Sequence, residues 1–340
     1  MEFFFISYFC QKEILINPAD LFSISNKKQF EKIALKVFRH QYDHNLVYHE
    51  FCQHLKIEKQ QVKSLLQIPF LPIQFFKSHQ VVTGENQIQT TFTSSGTTGL
   101  TTSKHFVSDL SLYENSCRQA FSEFYGNIED YVVLALLPSY LEREGSSLIY
   151  MVNDLIEKTN NPDSGFYLHN YEELISKLIA LDQSGQNVIL IGVTYALLDL
   201  IEMQKFQLKN TIIMETGGMK GKRKELIREE LHEILRLGFG VSQIHSEYGM
   251  TELLSQAYSF GEGVFECPPW MQILIRDTED ALQYVADGKT GGINVIDLAN
   301  INSCSFIATQ DLGKKNPTTT FEVLGRFDNS DIRGCNLMVV

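Results

Sequence analysis

Thr93-Ser94-Ser95-Gly96-Thr97-Thr98-Gly99 follows directly on Gln87-Ile88-Gln89-Thr90-Thr91-Phe92. The second of these segments alternates and is rich in β-branched residues, which predicts a strand. The first is small, hydroxylated and glycine-rich, with no bulky side chain in seven residues. Such a loop can fold its backbone N–H groups and hydroxyls around an anion, and glycine lets the chain turn close to it. The obvious anion is a phosphate chain. This is not a Walker loop, because no Gly-Lys-Ser/Thr closes it. Taken alone, the stretch serves equally well as an ordinary Ser/Thr/Gly surface turn.

Downstream, strands and helices alternate. Tyr131–Leu137, Asn187–Val193 and Thr211–Glu215 are apolar runs of the kind found in buried strands, and Gly240–Ile244 reads as a further short strand. Helical patterns cover Ser111–Tyr125, Ser146–Ile156, Tyr171–Asp182, Thr194–Met203 and the charged, amphipathic Lys222–Leu237. This alternation predicts an α/β fold with a largely parallel sheet. Ligands of such sheets sit at the carboxyl ends of the strands. The hydroxylated loop, Gly217-Gly218 and Tyr248-Gly249-Met250-Thr251-Glu252 all follow predicted strands, so all three can face one crevice.

Upstream, Asn26–Leu55 reads as helices, with Phe30, Ile33, Ala34 and Val37 on one face. Tyr42, His44, Asn45 and Tyr48 read as packing of that helical lobe. From Trp270 onward the chain is richer in strands, at Gln272–Arg276, Gly292–Leu298 and Cys304–Ala308. The resulting division is a helical N-terminal region over 1–80 packed on a core over 81–328, with a short tail over 329–340.

A net charge of −12 argues against a nucleic-acid partner, which needs a basic face. The six cysteines, Cys10, Cys52, Cys117, Cys267, Cys304 and Cys335, include no C-x-x-C pair and no accompanying histidine cluster, which argues against structural zinc. Met1–Cys10 is apolar but short and carries Glu2, so neither a signal peptide nor a membrane span is expected. A cytoplasmic, reducing compartment with free thiols follows as an expectation.

Tyr248-Gly249-Met250-Thr251-Glu252 offers an aromatic face for a base, a hydroxyl for a phosphate and a carboxylate for Mg²⁺, which prefers one or two carboxylates plus phosphate oxygens. Alone it is also compatible with a plain strand-to-helix turn. Asp311 can accept from ribose hydroxyls, or simply form a turn. Gly325-Arg326-Phe327-Asp328 supplies a cation and a hinge, or a surface turn.

These motifs occur in an order that resembles the adenylate-forming superfamily of acyl- and aryl-CoA ligases, luciferases and peptide-synthetase adenylation domains. Thr93–Gly99 looks like its phosphate loop, Gly217-Gly218 its adenine-side glycine pair and Tyr248–Glu252 its Y-G-x-T-E motif. Asp311 looks like its ribose-binding aspartate and Gly325–Asp328 its hinge. Within the superfamily the chain resembles the LuxE-like acyl-protein synthetases, and next the phenylacetate-CoA ligases. The carrying residues are Leu137–Arg143 with Ser146-Ser147, Glu247–Tyr258, and Arg333-Gly334-Cys335 near the end. The resemblance implies the large domain of an adenylate-forming enzyme without a full C-terminal lid domain.

It also implies a chemistry: ATP and Mg²⁺ activate a fatty acid or related carboxylate as an acyl-adenylate, and a thiolate then takes the acyl group. The implied nucleotide contacts are Ser94, Ser95, Gly96, Thr97, Thr98, Gly99, Gly217, Gly218, Tyr248, Gly249, Thr251 and Asp311, with Glu252 on the metal. Tyr140, Ser147, Met151 and Gly192 are the implied acyl-pocket residues. They include no acidic side chain suited to an α-amine, although Glu142 and Glu144 lie close in sequence, so a fatty acid is expected rather than an amino acid. The superfamily places Pro-Lys directly after its phosphate loop, whereas Leu100-Thr101-Thr102-Ser103-Lys104 stands here. With the lid lysine missing, its cation must come from elsewhere, with Lys104, Lys220 and Arg326 as candidates, or the adenylation step is slow. Cys335, in a polar, glycine-containing tail and two residues from Arg333, matches the family's acylated cysteine. An acyl reductase is the implied partner. A CoA ligase, or a nucleotide-binding subunit without catalysis, are the alternatives.

Overall fold

The computed structural model describes residues 16–94, 102–138, 144–217, 223 and 226–327. Of the expected site residues, Ser95–Gly99, Tyr140, Gly218, Lys220, Asp328 and Cys335 lie outside the described residues.

The helices are α1 (Pro18–Phe22), α2 (Lys27–His44), α3 (Leu46–His54), α4 (Phe75–Ser78), α5 (Leu110–Tyr125), α6 (Ser147–Thr159), α7 (Tyr171–Gln183), α8 (Thr194–Met203) and α9 (Arg228–Phe239). The strands are β1 (Leu71–Pro72), β2 (Thr90–Thr93), β3 (Lys104–Val107), β4 (Val132–Leu136), β5 (Gly165–Tyr167), β6 (Val188–Val193) and β7 (Thr211–Thr216). They continue with β8 (His245–Tyr248), β9 (Ala257–Ser259), β10 (Val264–Glu266), β11 (Met271–Arg276), β12 (Thr290–Asp297), β13 (Phe306–Lys315) and β14 (Phe321–Arg326). One large sheet runs β11-β12-β13-β14-β10-β9-β8-β7-β6-β4-β5, and β2 with β3 forms a separate hairpin.

The sheet has two halves. From β5 to β8 every pair is parallel, and from β8 to β11 every pair is antiparallel. The parallel half is α/β because each crossover carries a helix. Its strands are buried on both faces, so they read in sequence as apolar runs without alternation. Register separates the faces. Ala135, Ile191, Met214 and His245 are lateral neighbours on one face, and Leu136, Gly192, Glu215 and Ser246 on the other. The first face packs under α5 and α6, the second under α8 and α9.

Local chemistry sets the helix ends. Asp109 accepts the Ser111 N–H at 3.0 Å at the start of α5, and Ser146 accepts from Ile149 at the start of α6. At the end of α9, Gly240 adopts φ +69°, and its N–H donates to the Arg236 carbonyl. A Cβ there would lie 2.6 Å from the Phe206 carbonyl, so the position admits only glycine.

That cap corrects one sequence expectation. Gly240–Ile244 is not a strand, because the left-handed cap turns the chain away from the sheet. Pairing with β7 begins only at Met214↔His245, so β8 spans His245–Tyr248. Asp311 likewise lies in the middle of β13 rather than in a turn, opposite Arg326 of β14. Helix α9 begins at Arg228, later than the charge pattern suggests.

The N-terminal helices dock through polar side chains. Gln41, fully buried, donates from Nε2 to the carbonyls of Asn300 and Ile301 and accepts the Ser305 N–H at 2.9 Å. Asn45 donates to the Ser303 carbonyl at 2.8 Å, and Tyr48 to the Pro69 carbonyl at 2.6 Å. Tyr42, Asn45 and Tyr48 are thus packing residues of this lobe, and the bonds of Gln41 and Asn45 fix the 300–305 segment on which the candidate site leans.

Candidate active site

The hydroxylated loop is the connection of the β2–β3 hairpin, in which Thr93 pairs with Lys104. Its root is closed twice. The Ser94 N–H donates to the Ser103 carbonyl at 3.1 Å, and the Ser103 N–H donates to Ser94 Oγ at 2.9 Å. Two contacts then fix the hairpin in the fold. The Thr93 N–H donates to the Gly145 carbonyl at 2.8 Å, just ahead of α6. His105 bridges the Thr251 carbonyl, 2.8 Å from Nδ1, and Asn300 Oδ1, 3.0 Å from Nε2. Asn300 in turn donates to the Glu252 carbonyl at 2.8 Å.

His105 is therefore the device that brings the loop to Tyr248–Glu252. Burial pulls its pKa down to about 4. Both partners are acceptor oxygens, so the neutral imidazole donates to one of them and packs against the other, and only the protonated ring donates to both. No sequence pattern points to this role: a histidine two residues past a loop has no periodicity or spacing to mark it.

Glu252 is buried beside the hairpin root. Burial raises its pKa, while the Ser103 hydroxyl and the charges of Arg326 and Lys77 hold it down. Among the described residues, no group of three or more His, Cys, Asp or Glu side chains converges to hold a metal. A single carboxylate at the base of a phosphate-type loop is nonetheless the donor set Mg²⁺ uses when phosphate oxygens complete its shell. Glu252 fits that role. Lys104 stands exposed on β3. Lys77, on α4, is a cation that sequence reading did not connect with the site.

Tyr248 and Asp311 meet on one side. The Tyr248 hydroxyl donates to Asp311 Oδ2 at 2.8 Å, and Arg326 Nε donates to Oδ1 at 3.2 Å. Asp311 is buried, whereas the Arg326 side chain is 82% exposed. Edge contacts with Phe265 and Phe321 hold the Tyr248 ring. Gly217 ends β7 in a left-handed turn at φ +68°, with its carbonyl 3.4 Å from the Thr194 hydroxyl.

The ends of β7 and β8 also carry charges that the motif reading passed over. On one face Glu215, buried, pairs with Arg228 of α9 and lies 3.5 Å from His232. Burial pushes the Glu215 carboxyl up, but the His232 hydrogen bond, the Arg228 charge and the Ser246 hydroxyl outweigh it and leave the pKa lowered. On the opposite face the Thr216 hydroxyl donates to Glu247 Oε2 at 2.5 Å. Glu247 lies in a crevice, surrounded by protein yet still touched by solvent. Burial, aided by the Glu215 charge, pushes its carboxyl from 4.5 up to about 7.

Below Glu247, on the same face, a small apolar cavity lies between the sheet and helices α5 and α6. Phe121, Met151, Leu155, Ile191, Met214 and Tyr258 are among its walls. It encloses about 10 Å³, room for a single water and not for an alkyl chain. Met151 and Met214 are its adaptable walls. Ser147 is the first residue of α6, its carbonyl accepting from the Tyr113 hydroxyl at 2.9 Å. Gly192 packs on the other face, where a Cβ would lie 2.7 Å from Leu197.

The family described as "Acyl-protein synthetase, LuxE" matches this sequence over residues 9–114 and 156–340. The chain belongs to the LuxE acyl-protein synthetase family. A Vibrio harveyi long-chain-fatty-acid–luciferin-component ligase is 23% identical over 348 residues, covering 95% of this chain and 91% of the relative. A Photorhabdus luminescens protein of the same name is 39% identical over 71 residues, covering 21% of this chain and 60% of the relative. Among solved structures, a 2-hydroxyisobutyryl-CoA ligase with 2-HIB-AMP and CoA superimposes at a TM-score of 0.64 and 14% identity, over 93% of this chain and 75% of that one. ATP-bound MatB from Rhodopseudomonas palustris superimposes at 0.54 and 17% identity, over 72% of this chain. The match spans about half of MatB, 49%. The LuxE chain thus has the fold of adenylate-forming ligases.

Proposed function

We propose that this LuxE-family chain activates a long-chain fatty acid with ATP as the acyl-adenylate and transfers the acyl group to a protein cysteine thiol. The observation that carries this reading is the His105 bridge, which joins the root of the hydroxylated loop to the Thr251-Glu252 turn at the carboxyl end of β8.

In the first step a carboxylate oxygen attacks the α-phosphorus of ATP, and pyrophosphate leaves. The chain's part is positioning and charge. Ser94 and the loop it opens face the phosphates, Tyr248 the base, and Asp311 the ribose hydroxyls, with oxygen lone pairs left beyond those used by Tyr248 and Arg326. Glu252 would hold Mg²⁺, which supplies positive charge to the phosphate oxygens when bound. Arg326, exposed on the rim, and Lys77 are the described cations whose charge reaches Glu252.

In the second step a thiolate attacks the acyl carbonyl, forming the C–S bond as AMP leaves. Burial pushes up the thiols of Cys52, Cys117, Cys267 and Cys304, making them poor nucleophiles. Of the six cysteines this leaves Cys10 and Cys335, and the family resemblance favours Cys335.

Protein, ATP and labelled hexadecanoate should give ATP–pyrophosphate exchange and a protein label removed by neutral hydroxylamine. Cys335→Ser should keep the exchange and lose the label. A label that survives this substitution puts the acceptor on another thiol. The likeness to a CoA ligase favours one other outcome, release of free acyl-CoA when CoA is supplied.

A further inference from the structure

The neck above the apolar cavity is polar in a way that an unsubstituted alkyl chain does not need. Glu247 is the cross-strand partner of Tyr258, a wall of the cavity, and Thr216 is two residues beyond Met214, another wall. Register therefore puts the Glu247 carboxyl one level above the cavity on the same sheet face. Gln256 stands on the neighbouring strand side, next to Ala257, the partner of Tyr248.

Glu247 and Gln256 both lean over Gly249. A Cβ on Gly249 would lie 2.4 Å from Glu247 Oε1 and 3.3 Å from Gln256 Cγ. Gln256 is 3% exposed, and its Oε1 is buried with no hydrogen-bond partner among the described residues. Among the described residues Glu247 has one hydrogen-bond partner, Thr216, which occupies Oε2. Gln256, with its unsatisfied acceptor, and Glu247, whose Oε1 is not used in the bond to Thr216, thus both border a bare glycine Cα beside an apolar cavity. Buried acceptors without donors are costly, and a ligand that brings a donor recovers that cost.

Resting on the activation reading above, we propose that the carboxylic acid used by this site carries a hydrogen-bond donor, a hydroxyl or an amine N–H, on one of the carbons next to its carboxyl group. Glu247 and Gln256 accept from that donor. The cavity as it stands holds one water, so the hydrocarbon enters between the sheet and helices α5 and α6 only as the Met151 and Met214 side chains move aside. An acidic side chain is thus present at the pocket after all, contributed by the strand rather than by the segment around Tyr140.

The test is ATP–pyrophosphate exchange by the full chain with hexadecanoate, 2-hydroxyhexadecanoate, 3-hydroxyhexadecanoate and 2-aminohexadecanoate. At least one substituted acid should exceed hexadecanoate in kcat/KM by about tenfold or more, the scale on which polar sites discriminate. The hydroxy and amino arms identify which donor is read. Gln256→Leu and Glu247→Leu should each narrow that preference, read as the ratio of kcat/KM for the substituted acid to that for hexadecanoate within each variant. If either variant fails to fold, the wild-type ratio decides. Exchange with hexadecanoate equal to or better than with all three substituted acids overturns this inference and leaves the activation reading standing. No exchange with any of the four acids overturns both.

Discussion

Glu247→Gln replaces a carboxyl by an amide of the same shape that can still accept from Thr216. The carboxyl is pushed from 4.5 to about 7 by burial and by the neighbouring Glu215 charge. Its folded-state pKa lies above its unfolded value, so the folded protein disfavours the ionised form. The associated stability is fully present below pH 4.5 and is lost as pH rises through 7. A displacement of this size is worth about 3 kcal/mol once the group is ionised. The amide carries no such penalty. The variant should therefore match the parent at pH 4.5 and exceed it at pH 8 by up to about 3 kcal/mol. For a chain of this length, that corresponds to roughly 4 °C in Tm from the usual per-residue entropy of unfolding. Urea or thermal denaturation of both proteins from pH 4.5 to 8.5 checks it. Parallel pH profiles would refute the reasoning, because they would mean that Glu247 ionises as freely in the crevice as in the unfolded chain.

His105→Gln should cost about 1–3 kcal/mol at pH 7.5, because Thr251 or Asn300 loses its buried partner, and should weaken ATP binding by loosening the hairpin. The same variant should remove part of the acid lability of the parent. With a folded pKa pulled down to about 4, His105 makes stability fall as pH drops from 6.5 towards 4; denaturation across that window reads the change. Glu252→Gln should reduce Mg²⁺-dependent ATP affinity in calorimetry about tenfold or more while leaving Tm unchanged or raised, since its own carboxyl is also pushed up by burial. Unchanged affinity would remove Glu252 from the metal.

Pattern alone determined the α/β class, the helical N-terminal region and the positions of most elements, because buried strands and amphipathic helices leave periodic hydrophobic traces. Thr194–Met203 is a helix over the residues the pattern marked, and Val188–Val193 is a buried strand. The order of Thr93–Gly99, Gly217, Tyr248–Glu252, Asp311 and Arg326 was equally legible as a resemblance, carried by residue type at fixed places after strands. Only the tertiary structure decided what those places face. A strand's two faces differ by one residue, and sequence does not say which neighbour each meets. Tyr248 therefore reaches Asp311 while its neighbour Glu247 turns to Thr216 and the cavity wall. His105, Asn300 and Gln256 come from stretches with no motif, and long-range packing alone gives them partners, or in the case of Gln256 Oε1 leaves it without one among the described residues.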